Sequence, residues 1–484
     1  MKKLILYILP LLAVASCSKN LEEHPKAIAS ENFYNTPSEA EAGLNAIYSA
    51  LKNNNAMGEI YPAQIETYSD YLFGRGSYEP LNNYSGLDNT NITRAGQIWS
   101  QLYRAISNAN ICIQRIPNGS GLTDDEKIKY EGEARFMRGL TYFMLAKCWG
   151  GVILRTENNM DSTNIGRSSL EQTYALALSD LKFSEENLPE TPRLPGAGSK
   201  WTAKAVLTEF YLWQHDWQNA LNEAADIINS GKFSLVPVSV SEDFDKIFGP
   251  DVLTTPEEIF YLKYSREGGS YGFRYVAYGH APGDGHIGGG GGGFYAHYTD
   301  TILNNCWEHW DNKDLRKKFN WYPWNIGLGN NTLLPNKFND PAATSIDNVG
   351  NDYPWYKYSD ILLYYAEAES RVNNGPDAAA IEALNKVHRR AYGYDASQPS
   401  SVDFRLNDYN LQSFIDLVAE ERMYEDCYEA KRWLDLVRLG TVKQVIQANK
   451  GKTVADKMLL WPIPTIEMDN NKALDPVKDQ NPGY

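Results

Sequence analysis

Cysteine is scarce in this chain, with five among 484 residues. Four of them, Cys112, Cys148, Cys306 and Cys427, stand far apart and show neither the paired spacing of a zinc site nor the pattern of a disulfide framework. A free cysteine packs as a small apolar side chain, so we predict four buried thiols. The fifth, Cys17, closes the N-terminal segment and has a different role.

Positive charge is also in short supply. The chain has 46 Lys and Arg against 61 Asp and Glu, which gives a formal net charge of −15. A surface that binds nucleic acid needs clustered positive charge. The balance therefore argues against a nucleic-acid partner, and the same negative charge keeps an exposed protein soluble.

Long apolar runs are limited to the N-terminus, where Leu4–Leu12 follow two lysines. This run is shorter than the roughly 20 residues that a membrane-spanning helix needs. Ala15 and Ser16 directly before Cys17 are typical of a lipoprotein signal peptide, which we predict over residues 1–16. Cys17 would then carry acyl chains that hold the protein on a membrane, at about 0.8 kcal/mol per buried methylene.

The alternatives to this lipid anchor are an ordinary secretion signal with an incidental cysteine, or a cytosolic chain with an apolar start. Residues 17–30 are polar and predict a flexible tether.

Phenylalanine is less common than the aromatic residues whose rings carry a polar group, since 16 Phe accompany 32 Tyr and 12 Trp. Such rings suit surfaces and binding sites that are partly solvated.

Helical periodicity covers much of the remaining chain. Thr36, Pro37 and Glu39 predict the start of a helix that continues to Leu51, because they supply an N-cap, a first-turn proline and a capping box. Further helices are expected over 97–115, from Thr123 to Trp149, from about Ser168 to 187, and over 201–213, 217–230, 358–373, 377–392 and 410–439. The helices at 124–149 and 170–187, at 201–231 and at 358–392 predict pairs like those of tetratricopeptide repeats.

The other segments predict little helix. Residues 54–96 read as a long irregular segment, which is uncommon inside a domain unless it has a function. Residues 232–355 predict a loop-rich insertion with short strands, such as EIFYLKYS and YGFRYVAY. A C-terminal tail is expected over residues 441–484, and its stretch LWPIPTIEMDNNKALDPVKDQNPGY is too rich in proline to be helical. We expect one domain over 31–484, with its helical scaffold at about 31–231 and 356–440.

Three sequence features suggest catalytic or metal chemistry. The glycine-rich run Gly283–Tyr295 lacks the lysine and hydroxyl of a phosphate loop, and predicts a flexible loop or a flap beside a site. His280, His286, His297 and His309 fall within thirty residues, but no pair has a tight ligand spacing, so no metal site is predicted. Glu420 and Glu421 resemble the paired acids of a glycosidase, but the arginines and lysines nearby favour salt bridges instead.

The chain resembles the SusD-like (RagB/SusD) outer-membrane nutrient-binding lipoproteins across essentially its whole mature length. The residues that carry the resemblance are NFYNTPSEAEAGLNAIYSAL, IWSQLYRAISNANICIQRI, GEARFMRGLTYFMLAKCWGGVIL, WTAKAVLTEFYLWQHDWQNALNEAADIINSGKFSLV, YKYSDILLYYAEA, EERMYEDCYEAKRWLDLVRLG and IPTIEMDNNKALDPVKDQNPGY.

This resemblance implies a mostly α-helical fold, with about four tetratricopeptide-like helix pairs packed against a loop-rich variable half that has a few short strands. It also implies a non-catalytic protein without a cofactor, exposed at the cell surface. Such a protein binds an oligosaccharide, or in some members a peptide, and covers a SusC-like TonB-dependent transporter as a hinged lid. A pure scaffold that organises a surface complex remains the alternative from another class.

The resemblance places the ligand site in the segment 66–95 and in the variable insertion. The candidate ligand-binding residues are Asp70, Arg75, Tyr78, Asn83 and Tyr84 in the first segment, and Tyr275, Tyr278, Tyr295, Tyr298, Trp321 and Trp324 in the second. Tryptophans inside the helical motifs are expected in the core, namely Trp99, Trp149, Trp201, Trp217 and Trp433. Trp307 and Trp310 are also interpreted as structural.

Overall fold

The structure is a computed structural model that describes residues 33–267, 272–289 and 292–484. The predicted signal peptide, the attachment of lipid at Cys17 and the tether therefore lie outside the described residues. Within those ranges, no helix combines the length and the apolar character needed to cross a membrane.

The N-terminal part of the scaffold is a succession of helices. They are α1 (Pro37–Leu51), α2 (Ile60–Thr67), α3 (Asn89–Arg115), α4 (Asp124–Trp149), α5 (Leu170–Asn187), α6 (Lys200–Trp213) and α7 (Trp217–Asn229). The capping box predicted at Thr36 is confirmed, since its hydroxyl accepts from the Glu39 N–H and the Glu39 carboxylate accepts from the Thr36 N–H. The same arrangement at Thr123 and Glu126 starts α4.

The variable half contains short helices and strands, and its strands take part in two small sheets. Its elements are α8 (Asp245–Phe248), β2 (Glu258–Leu262), β3 (His297–Asp300), α9 (Cys306–His309), α10 (Leu315–Asn320), β4 (Trp321–Pro323), β5 (Thr332–Pro335) and β6 (Tyr353–Lys357), and β1 (Phe73–Gly74) joins them from the segment 66–95. One antiparallel sheet has the order β1-β3-β5-β4, and β2 pairs with β6 in the other. Short strands in this region were predicted, although the run YGFRYVAY forms a 3-10 turn over Arg274–Tyr278 instead.

The C-terminal part returns to helices, with α11 (Tyr358–Val372), α12 (Ala378–Ala391), α13 (Leu411–Glu425), α14 (Arg432–Leu439), α15 (Val442–Lys450) and α16 (Thr465–Asn470). The predicted pairs α4 with α5, α6 with α7 and α11 with α12 pack together, and α1 packs on α3. Gly139 permits the close approach of α4 and α5, because a Cβ there would lie 3.0 Å from the Ala177 carbonyl oxygen. The mostly helical fold predicted from the sequence is confirmed.

The prediction for the segment 54–96 was wrong in two respects: one helix was not predicted, and the start of another was placed too late. Helix α2 lies inside the stretch predicted to be irregular, and α3 begins at Asn89 rather than at Gln97. All eight residues of α2 are buried, including Gln64 and Glu66. A helix that is buried on every side has no polar face, so it lacks the amphipathic period that sequence patterns detect.

A helix predicted to run from Asn410 to Leu439 is broken between α13 and α14. The connecting residues Tyr428 and Ala430 have positive φ angles of 64° and 57°. The Glu429 carboxylate in this connection is buried and pairs with Lys337 and Lys357 from the variable half. Buried charges are tolerated only when they are paired, so this long-range pairing determines the path of the backbone.

The predicted core residues lie mostly where expected. Cys112, Cys148, Cys306 and Cys427 are all free and buried, which confirms the prediction of four thiols. Among the tryptophans interpreted as structural, Trp99, Trp149, Trp201, Trp310 and Trp433 are buried, and Trp217 and Trp307 are partly buried against the core. The proline-rich end of the tail, predicted to be non-helical, nevertheless contains the short helix α16.

Candidate functional site

The four-stranded sheet joins the two segments that were expected to hold ligand. Strand β1 belongs to the segment 66–95, and it pairs with β3 of the variable insertion through Phe73 and Tyr298. Strand β5 then pairs with both β3 and β4. The sheet thus brings residues about 225 positions apart into one surface.

Asp70 does not fit a ligand-binding role, because it is fully buried. Arg432 donates to both of its carboxylate oxygens at 2.9 Å, and Asn449 donates to Oδ2 at 2.8 Å. Burial acts to raise the pKa of Asp70, but the Arg432 guanidinium outweighs it and holds the pKa below its usual value. The carboxylate therefore has a structural partner on each oxygen and no free surface.

Several predicted ligand aromatics are core residues instead. Tyr78, Tyr275 and Tyr278 are buried around the imidazole of His297, and Tyr275 stacks on Tyr428 with ring centroids 4.7 Å apart. A buried ring has no face to offer a ligand. The sequence could not separate these tyrosines from exposed ones, since all of them occur in loop-like stretches.

Tyr84 and Trp321 are buried as well. The Tyr84 hydroxyl donates to the carbonyl oxygens of Tyr68 and Ser69, and its ring stacks on Trp433. Trp321 packs edge-on against Tyr71. Tyr84 thus connects the segment 66–95 to helix α14, and Trp321 connects strand β4 to the same segment.

Five predicted residues remain at least partly exposed: Arg75, Asn83, Tyr295, Tyr298 and Trp324. Arg75 and Tyr295 contact each other. The Arg75 guanidinium lies 4.3 Å above the Tyr295 ring and donates to the Tyr295 carbonyl oxygen at 3.3 Å. Trp324, in contrast, is 37% exposed and belongs to a larger group of rings.

An aromatic ledge is formed by His286, Tyr322 and Trp324. The His286 and Tyr322 rings lie 4.2 Å apart with an interplanar angle of 32°, and the Tyr322 and Trp324 rings lie 6.2 Å apart at 60°. Strand β4 positions Tyr322, and the segment after the 3-10 turn positions His286. His286 and Tyr322 were not among the residues predicted to bind ligand.

A cavity of about 330 Å³ adjoins the ledge, and His286, Trp321, Tyr322 and Pro323 contribute to its wall. Its polar lining residues include Glu242, Asp245, Lys318, Asn336 and Asn339. Glu242 and Lys318 form an exposed ion pair of 2.7 Å. A larger groove of about 570 Å³ beside α13 and α15 has no Trp, Tyr or Phe among its described lining residues.

A cluster of polar side chains supports the ledge from below. The Tyr322 hydroxyl donates to Asp284 Oδ2 at 2.5 Å, and His280 lies within 3.4 Å of the same hydroxyl. Burial, and to a smaller extent the neighbouring His286, lower the pKa of His280 to about 4. Histidine spacing alone missed this cluster, because its third member is Asp284, four residues after His280 and two before His286.

The acidic pair Glu420 and Glu421 has structural partners. Glu421 is buried, forms a salt bridge of 2.7 Å with Arg316 and lies 2.9 Å from His388 Nδ1. Glu420 accepts from the Tyr424 hydroxyl at 2.5 Å. The salt bridge predicted for this pair is present at Glu421, although its partners come from other elements than its own helix.

Comparison with known proteins identifies the family. Residues 21–212 match a family profile described as starch-binding and associating with the outer membrane, and residues 304–484 match the profile of the SusD family. SusD-like protein P25 of Formosa agariphila is 26% identical over 546 aligned positions, which cover 100% of this chain and 99% of that protein.

Solved structures share the fold over nearly the whole chain. A SusD homolog from Bacteroides thetaiotaomicron superimposes with a TM-score of 0.81 at 23% identity, covering 96% of this chain and 100% of its own. Surface glycan-binding protein A from Bacteroides fluxus gives a TM-score of 0.74 at 22% identity, covering 93% and 100%. With both ends of the chain matched by SusD profiles and the fold shared throughout, this protein belongs to the SusD-like family.

Proposed function

We propose that this protein binds an oligosaccharide, or a fragment of a polysaccharide, at the aromatic ledge. The observation that carries the proposal is the partly exposed ring of Tyr322 and the exposed ring of Trp324 beside a cavity with carboxylate, amide and ammonium groups. Neutral sugars present apolar C–H faces ringed by hydroxyl groups. Rings that pack on those faces, with a few polar groups that bind the hydroxyls, are the chemistry such a ligand requires.

Family membership supports a glycan as the ligand. One matching profile is described as starch-binding, and a structural neighbour is a surface glycan-binding protein. The ledge residue His286 lies in the interval 213–303, between the two profile matches. A site that is partly built from this interval is able to differ among relatives and so to recognise different glycans.

We propose a non-catalytic role in uptake. Cys17 carries the lipid anchor, the tether keeps the domain at the outer face of the outer membrane, and the bound glycan passes to a SusC-like TonB-dependent transporter. Tethering raises the effective concentration of the binding domain near its transporter without any new contact. The engagement of Glu420 and Glu421 by structural partners supports the absence of a glycosidase acid pair.

The test is isothermal titration of the mature chain, produced without its lipid, against a panel of plant, host and microbial glycans. We expect at least one glycan to bind, and Trp324→Ala to weaken that binding. Tyr394→Ala is the matched control, because Tyr394 is an exposed ring that lines a different cavity. Binding that is equally strong in the Trp324 variant would remove the ledge from the proposal.

Parallel measurements separate the alternatives. Binding of peptides and not of glycans would make this a peptide-binding member of the family. A stable complex with the transporter, isolated without affinity for either ligand class, would favour a scaffold. Release of reducing sugars or cleaved peptides by the purified protein would contradict the non-catalytic role.

A further inference from the structure

The cluster beneath the aromatic ledge has the composition and the spacing of a metal site. His280, Asp284 and His286 present potential ligand atoms that all lie within 4.8 Å of one another. His286 Nδ1 is 3.2 Å from Asp284 Oδ1, and His280 Nδ1 is 3.7 Å from Asp284 Oδ2. In a tetrahedral site with bonds of about 2.0–2.1 Å, neighbouring ligand atoms lie roughly 3.3 Å apart. The two separations from Asp284 are close to that value, and the ligand atoms of His280 and His286 lie within 4.8 Å of each other.

His280 is oriented as a metal ligand would be. Its ring is buried, and its Nε2–H donates to the Phe338 carbonyl oxygen at 2.5 Å. This bond leaves Nδ1 with a lone pair on the side that faces Asp284. Histidines that bind metals almost always donate their other ring N–H to a carbonyl or carboxylate in this way.

His286 supplies an independent observation. Its Nδ1 atom is buried and has no hydrogen-bond partner, although Asp284 Oδ1 is 3.2 Å away. Buried polar atoms in folded proteins are normally paired, and an exception needs an explanation. An ion between this nitrogen and the carboxylate would supply the missing partner.

Asp284 is held in place before any ion binds. Its Oδ2 accepts from the Tyr322 hydroxyl at 2.5 Å and from the Ala281 N–H at 2.6 Å, while Oδ1 accepts from the His286 N–H at 2.9 Å. Hydrogen bonds of this kind orient the carboxylates that bind metals. They also connect the segment 280–286 to strand β4.

We propose that His280, Asp284 and His286 bind one divalent transition-metal ion of the Zn²⁺ type. Two imidazole nitrogens and one carboxylate oxygen suit Zn²⁺, Co²⁺ or Fe²⁺, whereas Ca²⁺ and Mg²⁺ prefer oxygen ligands alone. Three protein ligands leave a fourth position for water. Because His286 and Tyr322 belong to the ledge, the ion fixes the ledge against the sheet.

The test uses the mature chain without lipid, stripped with a chelator and titrated with Co²⁺ and then Zn²⁺ in the absence of any glycan. We expect about one Co²⁺ per chain, a visible absorption band of a low-symmetry nitrogen and oxygen site, its loss when Zn²⁺ displaces Co²⁺, and a higher melting temperature with metal. Asp284→Asn and His286→Gln should each weaken binding at least about tenfold.

His309→Gln is the matched control, since His309 is an exposed histidine outside the cluster. The His286 side chain is 25% exposed, so its variant is expected to fold, and circular dichroism checks this. An absent Co²⁺ band, or equal binding by wild type and the His286 variant, would overturn the proposal and leave a hydrogen-bonded cluster without an ion. Since no glycan is present, either result is independent of the proposed sugar binding.

Discussion

Arg432 and Asp70 form a buried, two-point ion pair across 362 positions of sequence, with both N–H···O distances at 2.9 Å. The pair fastens the segment 66–95 to helix α14. Loss of the Asp70 carboxylate would leave the Arg432 guanidinium buried without this counter-charge. The relationship explains why an acidic residue in a loop-like stretch is structural here and not a ligand contact.

Asp70→Ala should destabilise the protein by about 3–5 kcal/mol, because breaking a buried pair strands the remaining charge. Urea or thermal unfolding measures the loss. The double variant Asp70→Ala with Arg432→Leu should recover part of it, since replacing both charges by apolar groups is often tolerated. Asp125→Ala, at an exposed ion pair with Lys129, serves as the control and should change little. A double variant that is as unstable as the single one would contradict this explanation.

Trp324→Ala should lower the affinity for a bound glycan about tenfold, which corresponds to about 1.4 kcal/mol of lost packing. Trp324→Phe keeps a ring at the same place and should lose less. Titration calorimetry at one temperature gives both values, with Tyr394→Ala as the exposed control. If the Phe and Ala variants were equally impaired, a hydrogen bond from the indole rather than ring packing would be the important contact.

Glu66→Gln should reveal a pH-dependent contribution to stability. Burial raises the pKa of Glu66 from 4.5 to about 7 in the folded protein, while hydrogen bonds from Tyr71 and Ala430 act in the opposite direction. The folded state therefore binds the proton more tightly than the unfolded state. This contribution is fully present below pH 4.5 and is lost as the pH rises through about 7.

The measurement is the free energy of unfolding of wild type and Glu66→Gln, from pH 4.5 to beyond pH 7. Wild type should lose up to about 3 kcal/mol relative to the variant over that range, because glutamine stays uncharged. Glu186→Gln, at an exposed position, should show no such trend. A wild type that gains stability relative to Glu66→Gln as the pH rises would mean that the folded pKa is lowered.

Cys17→Ala should abolish lipid attachment and impair uptake in cells, while the affinity of the purified mature domain for its glycan stays unchanged. The reason is that the proposed anchor would position the domain and would not contribute to the site. Labelling with a radioactive fatty acid, cell fractionation and growth on the glycan test the cellular part. Loss of affinity in the purified variant would contradict it.

Local sequence patterns predicted much of the fold. Thr36 and Thr123 marked helix starts that the structure confirms, because a capping box involves residues only three positions apart. Apolar periodicity identified the helix pairs, and the wide spacing of the cysteines identified four buried thiols. The motifs of the family also extend over most of the chain, so the mostly helical fold and the family followed from sequence.

Long-range packing decided the rest. Helix α2 is buried on every side and so has no amphipathic signal, and the break after Glu425 follows from the buried pairing of Glu429 with Lys337 and Lys357. No local pattern carries these contacts, because the partners are tens of residues apart or more.

The candidate site also depends partly on information in the sequence and partly on long-range packing. Composition and family resemblance pointed to the segment 66–95 and to the variable insertion, and the sheet order β1-β3-β5-β4 joins them. Which rings are exposed was decided only by tertiary structure, since Tyr78 and Tyr275 are buried while Tyr322 and Trp324 form a ledge. Burial depends on what packs against a ring, and that partner comes from a distant part of the chain.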